Sequence, residues 1–367
     1  MAIEKVNGVE NPEQPQGIQV PLPEAEITPG VTELDDGSAI IGEIQQEMQM
    51  TTPVPFDANL AEFIDESDLG VVSSDLVGAI DDDISSRKDW EEQYKGGLEL
   101  LGMNYEDRAE PFEGASGVVH PLLAESVTQF QAQAYREMLP ASGPVRTHIV
   151  GAESPELLAQ AERVKNYMNY QITYEMEEYD PELDQMLFYL PIVGSAFKKV
   201  YFDPSMQRAV SKFVHAEDLI VPYNATDLRT STRITHVVRM GKNEIRKLQL
   251  QGFYRDIDLP SSDSGGTNYD EVKETIDDIQ GVGKSTSDNE EITLYEIHTD
   301  LDLVGFEDVG QDGEPTGLKM PYVVTIVEKS GEVLSIKRNF NEGDPFRRKI
   351  PYFIHYKFLP GLGFYGF

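Results

Sequence analysis

Residues 190–240 read LPIVGSAFKKVYFDPSMQRAVSKFVHAEDLIVPYNATDLRTSTRITHVVRM, and within this stretch the pattern of the chain changes from helical to β. Before Pro191 the apolar residues recur every three or four positions, as in a helix with one buried side. After it come short runs rich in β-branched and aromatic residues, separated by turn residues, which predict a small antiparallel sheet or barrel. The predicted strands are 195–202, 208–215, 218–221 and 234–240.

Two amphipathic helices are predicted between residues 86 and 139. In the first, Ser86 is the expected N-cap and Gly102 is the stop signal. The second runs from Pro121 to Leu139, and its apolar side chains follow one another at steps of three or four. They predict one buried stripe, a candidate oligomer or core face, made of Leu123, Val127, Phe130, Ala134 and Met138.

Two further helices have clear N-terminal signals. Ser154, Pro155 and Glu156 combine an N-cap, a proline at the first helical position and a carboxylate that the helix dipole favours. The helix that they open has an apolar stripe at the same spacing, made of Leu157, Ala161, Val164, Met168 and Ile172. A second proline signal, Asp180-Pro181-Glu182, opens a short helix that ends at Leu190.

Downstream of residue 240 the chain continues with a short helix, a polar interruption and more strands. Asn243 is the predicted cap of a helix that stops at Gly252. Residues 256–289 are acidic and contain clusters of serine and glycine, which is typical of a long loop or an insertion. Four further strands are predicted at 292–298, 321–328, 333–338 and 350–358.

Residues 1–82 differ from the rest of the chain in composition. The first 80 positions contain 16 acidic residues and a single lysine, Lys5, with frequent prolines and no sustained period. High net charge without periodicity favours an extended or disordered arm, with room for one or two short helices, for instance around residues 59–63. Such an arm either lies across a neighbour in an assembly or remains a solvated tail.

Composition excludes several classes of protein. With 40% hydrophobic residues among 367, the chain can bury a substantial core and form two or three domains. The absence of cysteine excludes disulfide frameworks and thiolate metal sites and favours folding in a reducing cytoplasm. No run approaches the ~18 apolar residues of a membrane span, and the N-terminus lacks the features of a signal peptide. We therefore expect no membrane contact.

The formal net charge of −35 disfavours a protein that grips DNA, because an acidic surface repels phosphates. Such a charge confers solubility. It also suits a surface past which DNA slides.

The nearest approach to a catalytic motif is Gly283-Lys284-Ser285, which has the form of the end of a phosphate-binding loop. Such a loop has a glycine five positions before the first of these residues and follows a buried strand. Here that position is Asp278, whose charge repels phosphate, and the preceding stretch is charged and amphipathic. Nucleotide binding is therefore an alternative and not the main interpretation.

The six histidines form no metal-binding motif, because no two of them are two, three or four residues apart. Four of them, His215, His236, His298 and His355, fall in predicted strands, where a hydrogen-bonded structural role is expected. No serine has the glycine spacing of a nucleophile elbow. The sequence thus predicts no catalytic, metal-binding or cofactor-binding residues.

Arg347, Arg348 and Lys349 form the one basic cluster of this acidic chain. We interpret the cluster as a candidate contact for phosphate or for an acidic partner surface. The alternative is an edge-strand charge that blocks aggregation.

Several segments, in their order along the chain, resemble the portal proteins of tailed bacteriophages, particularly those of short-tailed phages. Residues 83–102 (DISSRKDWEEQYKGGLELLG) and 114–140 (GASGVVHPLLAESVTQFQAQAYREMLP) are similar to the opening helices of the portal wing. Residues 190–240 resemble the small SH3-like β-domain embedded in that wing. Residues 292–302 (ITLYEIHTDLD) and 350–367 (IPYFIHYKFLPGLGFYGF) resemble the segments that lead from the wing toward the stem helix.

The resemblance implies an α+β fold in which a helical wing region embeds a small antiparallel SH3-like β-domain and follows an acidic, poorly structured N-terminal arm. The expected divisions are 1–82, acidic arm; 83–190, helical wing region; 191–255, small β-domain; 256–289, acidic insertion; 290–358, β-hairpin continuation of the wing; and 359–367, lead-in to a stem helix. In the family the chain continues into stem, clip, tunnel loop and crown. We therefore expect this chain to be the N-terminal portion of a portal.

The resemblance also implies a function, that of a subunit in a homo-oligomeric ring, dodecameric in the family, at one capsid vertex. Double-stranded DNA passes through the ring during packaging and ejection. The expected partners are terminase, capsid and scaffold proteins, and head–tail adaptor or tail proteins. The expected location is the virion, with assembly in the host cytoplasm.

In that family the ATPase activity belongs to the separate terminase, so neither an enzymatic activity nor a cofactor is expected. The alternatives are a packaging ATPase that uses Gly283-Lys284-Ser285 and a non-portal capsid, scaffold or adaptor subunit.

Overall fold

The computed structural model describes residues 30–33, 39–42, 54–101, 112, 120–204, 206–259, 291–310, 314–360 and 363–366. Residues 1–54 and 55–367 form two separate compact units. In the first unit two short antiparallel strands, β1 (Gly30–Glu33) and β2 (Ala39–Gly42), pair with each other. The second unit contains all the other helices and strands that the structure describes.

The second unit is α+β, as the sequence predicts. Its helices are α1 (Glu66–Ser86), α2 (Lys88–Leu101), α3 (Leu122–Met138), α4 (Pro155–Tyr170), α5 (Tyr179–Val193) and α6 (Lys242–Leu250), with a 3₁₀ turn at Leu60–Glu62 and a π-helical turn at Gln171–Glu175. Its strands are β3 (Ser195–Asp203), β4 (Arg208–Val214), β5 (Leu219–Ile220), β6 (Arg233–Gly241), β7 (Glu291–Leu301), β8 (Met320–Val327), β9 (Val333–Arg338) and β10 (Phe353–Lys357). Among the described residues, no helix is long and apolar enough to cross a membrane.

The eight strands that the structure describes in this unit form two antiparallel sheets, ordered β10-β3-β4 and β5-β6-β7-β8-β9. Each sheet combines strands from before residue 255 with strands from after residue 290. Strand pairing crosses the predicted division between a small β-domain at 191–255 and a hairpin continuation at 290–358, because β3 pairs with β10 and β6 pairs with β7. Pairing between strands so distant in the chain leaves no local mark on their sequences. Of the predicted insertion, residues 260–289 lie outside the described residues.

Helix α1 occupies positions at which the sequence predicts an extended arm, so that prediction is wrong for residues 66–82. Its inner side chains do recur at helical spacing, at Leu69, Ser73, Leu76 and Ile80, and all four are buried. Because one of these core positions is a serine with acidic residues nearby, the helical period is not evident from the sequence. The Ser73 hydroxyl donates to the carbonyl of Gly331, so its polarity is satisfied inside the fold.

The boundary between the first two helices, at residues 86 and 87, differs from the prediction. Ser86 is the last residue of α1, not the N-cap of α2, and its hydroxyl donates to the Asp83 carbonyl over 2.7 Å. Arg87 then interrupts the helical backbone without a proline or a glycine. The break follows from the buried contacts of Arg87 and not from any turn residue.

Two helix boundaries differ by a turn or less from the predictions. Helix α5 continues through Pro191 to Val193 before Gly194, with a left-handed φ of 80°, ends it. Pro191 has no N–H to donate to the carbonyl four residues earlier, and the helix ends two residues after it. Helix α6 has Gly241 as its N-cap, two residues before the predicted Asn243.

The central core of the second unit surrounds the guanidinium of Arg87, whose side chain is fully buried. Its Nε donates to Glu91 over 2.8 Å, and its terminal nitrogens donate to carbonyls of the loop 216–219 and to the Tyr365 hydroxyl. The Trp90 and Tyr365 rings stack at 4.3 Å beside it. This cluster connects the start of α2, the loop before β5 and the last residues that the structure describes.

Candidate assembly interface

Helix α3 packs against α5 and buries only part of its predicted apolar stripe. Val127 is 2% exposed, and the Phe130 ring meets the Phe358 ring edge-on at 5.1 Å. Met138, at the other end of the helix, is 38% exposed. The structure therefore places Val127 and Phe130 toward the core and Met138 at the surface.

Helix α4 begins where the sequence predicts, with the Ser154 hydroxyl accepting from the Leu157 amide over 3.2 Å. It lies against an extended segment of its own chain, residues 142–149. The Asn169 amide accepts from the Val145 N–H (2.9 Å) and donates to the Val145 carbonyl (3.2 Å). The Thr147 hydroxyl donates to the carbonyl of Ala161. Polar contacts thus hold this helix to its own chain.

The half-buried positions of α4 are Ala161, Lys165 and Asn169, spaced by four, and they mark the side that faces residues 142–149. No residue of α4 is buried. Of the predicted apolar stripe, Ala161 lies on this side, whereas Val164 and Met168 are 44% and 42% exposed. Among the described residues, no hydrophobic partner buries these two side chains.

Aromatic side chains extend the exposed stripe. At about 100° per residue, Tyr170, Tyr167, Val164, Leu157 and Met168 follow one another over about 160° of the surface of α4. The polar side chains of Glu156, Gln160 and Arg163 lie between some of them. We call the five apolar and aromatic residues, which are all more than 40% exposed, the assembly face. An exposed surface rich in apolar side chains is typical of sites of protein–protein contact.

A π-helical turn, Gln171–Glu175, follows the assembly face directly. Tyr174 in this turn is 74% exposed, and its ring stacks on that of Tyr170 with centroids 5.8 Å apart. Single π-helical turns within helices are frequent at functional sites. The turn therefore adds a further exposed aromatic ring to the same end of the helix.

A second group of functional side chains lies between the two sheets. The Lys199 ammonium on β3 donates to both carboxylate oxygens of Glu296 on β7, over 2.6 and 2.7 Å. The His298 Nε2 lies 2.9 Å from the same carboxylate. His236 stands opposite Glu296 in the pairing of β6 with β7. We call these four residues the sheet joint.

Burial and charge set the protonation of the sheet joint. Burial raises the pKa of Glu296, but Lys199 and the two histidines more than offset it and hold that pKa well below its usual range. Burial lowers the pKa of His236 to about 3, with a further lowering from Lys199. At neutral pH the joint is therefore an ionised carboxylate on an ammonium, with neutral imidazoles beside it.

The structural role predicted for the strand histidines is confirmed for two of them. His298 pairs with Glu296, and His355 lies 2.8 Å from the Ser195 hydroxyl. His236 is different, because its Nδ1 is buried without a hydrogen-bond partner. Its ring instead lies against Phe353 at 5.5 Å.

The predicted basic cluster is not brought together as one patch. Arg347, with a left-handed φ of 47°, pairs with Asp308. Arg348 pairs with Asp344 over 2.8 Å, and Lys349 is half-buried. Each of the two arginines is thus held by a carboxylate of its own chain.

The motif Gly283-Lys284-Ser285 lies outside the described residues. Within them, no group of three or more histidine, aspartate or glutamate side chains is placed to hold a metal ion. No protein-family model matches the chain, and no curated protein matches it.

Proposed function

We propose that this chain is a subunit of a homo-oligomeric portal ring, through which double-stranded DNA enters and leaves a viral capsid. The observation that carries the proposal is the assembly face of α4. A stable surface helix normally buries its apolar stripe, or is polar all round, and this helix does neither within its own chain. A neighbouring copy that covers the face supplies the missing burial.

The ring is the form of assembly that best accommodates one such face. In a cyclic ring each subunit uses two different surfaces, one toward each neighbour. The assembly face is one of them, and Met138 on α3 lies at the surface of the same helical region. The ordered resemblance of residues 83–140, 190–240 and 350–367 to portal wing segments supports the same function.

The electrostatics agree with passage of DNA and not with its retention. Each lysine or arginine that touches a phosphate adds a salt-dependent hold on DNA, and the chain has a formal net charge of −35. Arg347 and Arg348 are engaged with Asp308 and Asp344. In this proposal terminase, capsid, scaffold and tail proteins attach to the ring in the virion, and the chain itself carries no ATPase activity.

The oligomeric state of the whole chain tests the proposal. Light scattering with size-exclusion chromatography and negative-stain electron microscopy should show closed rings of uniform size with a central opening. The double variant Val164→Glu/Met168→Glu should yield monomers, because two charges on the assembly face oppose its burial. Asn166→Glu, on the opposite side of α4, is the matched control and should still form rings.

This role of the assembly face would be refuted if the wild-type chain remained monomeric, or if the double variant still formed intact rings. Irregular shells or open filaments would favour a capsid, scaffold or adaptor subunit instead.

ATP hydrolysis that disappears in Lys284→Ala would favour the alternative of a packaging ATPase. Binding to duplex DNA at low salt should be weak, and tight, salt-sensitive binding would contradict free passage.

A further inference from the structure

Strand β10 is an edge strand with an open side. Its pairing with β3 includes hydrogen bonds from the Val200 amide to the Tyr352 carbonyl and from the Phe358 amide to the Gly194 carbonyl. In an antiparallel pair, the backbone N–H and C=O groups of successive residues point alternately toward the partner strand and away from it. In this register those of Phe353, His355 and Lys357 point away from β3. Among the described residues, none of these outward groups has a hydrogen-bond partner.

The opposite edge of the same sheet, β4, is closed by side chains. Glu178 and Glu182, one turn apart near the start of α5, accept hydrogen bonds from the amides of Ser211 and Phe213. These amides are the outward donors of β4. Two carboxylates therefore occupy the positions at which another strand would pair.

The edge strand β9 of the larger sheet is closed in a similar way. The Asn59 side chain donates to the Leu334 carbonyl and accepts from the Ile336 amide, each over 3.0 Å. Its amide group thus takes the place of a paired backbone. Proteins generally block their sheet edges, and this fold blocks β4 and β9 while leaving β10 open.

The exposed side chains beside the open edge of β10 differ between the two faces of the sheet. Successive side chains of a strand alternate between faces. Ile354 is 47% exposed, and Val200, on the same face, is 37% exposed. Lys357 projects from the opposite face and is exposed.

A cavity of about 950 Å³ lies beside the first half of the strand, and its lining includes Ile354, Arg229 and Lys349. The one carboxylate in the lining is that of Asp227, which already accepts from the amides of Arg229 and Thr230. In a chain with a net charge of −35, the open edge is thus a place where cations outnumber free carboxylates.

We propose that the open edge of β10 binds an extended segment of a partner protein whose side chains alternate between apolar and acidic. Backbone pairing with Phe353, His355 and Lys357 would supply the affinity, as in other cases of strand addition. The apolar side chains would lie over Ile354 and Val200, and the acidic ones would lie on the face of Lys357. Arg229 and Lys349 would add positive charge at the cavity end of the strand. The inference does not depend on the portal assignment.

A direct test uses a fluorescein-labelled peptide of seven alternating valine and glutamate residues and the whole chain. Fluorescence anisotropy should show saturable binding, and Lys357→Glu should weaken it at least five-fold. Lys212→Glu is the matched control, because Lys212 is an exposed lysine on the closed edge strand β4. This variant should leave the affinity unchanged.

The backbone contribution is tested with two versions of the peptide, each N-methylated at one of its two alternating sets of residues. Methylation of the set whose amides pair with β10 should weaken binding at least ten-fold, and methylation of the other set should not. Equal effects of the two lysine variants, or the absence of saturable binding, would overturn the proposal. Self-association of the chain that Lys357→Glu abolishes would also overturn it, because the occupant would then be a second copy.

Discussion

The sheet joint and helix α4 are built in opposite ways. In the joint, charged residues from two sheets are largely withdrawn from water, and Lys199 and Glu296 neutralise each other at 2.6 Å. On α4, apolar residues remain in water while Asn169 and Ala161 make the contacts within the chain. Within the part of the chain that the structure describes, the charges of the first region are paired, and the apolar side chains of the second region have no partner that buries them.

In the proposed ring, this difference separates the part of the molecule that carries stability from the part that carries assembly. Full burial of an apolar side chain contributes about 1.5–3 kcal/mol, so five partly exposed side chains on the assembly face can contribute several kcal/mol to an interface. The isolated chain does not gain that free energy. Substitutions in the core should therefore change folding, and substitutions on α4 should change assembly alone.

Among substitutions of buried charged residues, Arg87→Ala should have the largest effect on stability. It removes every hydrogen bond of a fully buried guanidinium and leaves Glu91 as a buried charge without its cation. We expect the free energy of unfolding to fall by about 3–5 kcal/mol, measured by urea unfolding. Lys88→Ala, at the adjacent exposed position, should stay within about 0.5 kcal/mol. A loss below about 1 kcal/mol for Arg87→Ala would show that the cluster around Tyr365 is not central.

Glu296→Ala should come next, with a loss of about 3 kcal/mol, because it leaves the Lys199 ammonium between the sheets without a counter-charge. The double variant Lys199→Met/Glu296→Leu removes both charges and should recover most of this loss. If the loss of unfolding free energy in the double variant equals the sum of the losses in the two single variants, the two charges are not coupled and the sheets are held by packing alone.

Acid should weaken the joint before it affects α4. The pKa of His236 falls from 6.5 to about 3 on folding, and burial likewise lowers that of His355 to about 3. The unfolded chain takes up protons below pH 6.5 that the folded chain does not, so stability declines as the pH falls from 6.5 toward 3. At about pH 5.5 each histidine should cost about 1 kcal/mol relative to neutral pH.

Urea unfolding at neutral pH and at about pH 5.5 measures this decline, and His236→Leu should make it shallower. His148→Asn, at an exposed position, is the control and should leave the decline as it is. A chain with the same stability at both pH values would contradict neutral buried imidazoles.

Val164→Glu on the assembly face should have the smallest effect on folding. The side chain is 44% exposed and makes no buried contact, so the unfolding free energy of the monomer should change by no more than about 0.5 kcal/mol. Val127→Glu on α3, at a 2% exposed position, is the informative contrast and should prevent folding. Equal losses for the two variants would remove the distinction between the two regions.

The sequence alone was enough to predict the helices and strands whose signals lie within a few neighbouring residues. The Ser154 cap, the extent of α3 and the short strands after Gly194 are encoded within a few residues, and they lie close to where the sequence predicts. Helix α1 was missed because its core stripe includes Ser73, whose hydroxyl is satisfied only by Gly331, some 258 residues away. Arg87 was missed for the same reason, because its acceptors lie around residue 217 and at Tyr365.

By itself the sequence determined the α+β composition, the acidic surface and the periodic faces of α3 and α4. Only the tertiary structure decided that strands from both sides of residue 255 share two sheets, that α4 turns its polar side toward its own chain, and that β10 keeps an open edge. Periodicity records which side of an element is apolar, but it contains no information on what lies opposite that side. That is settled by contacts between residues far apart in the chain.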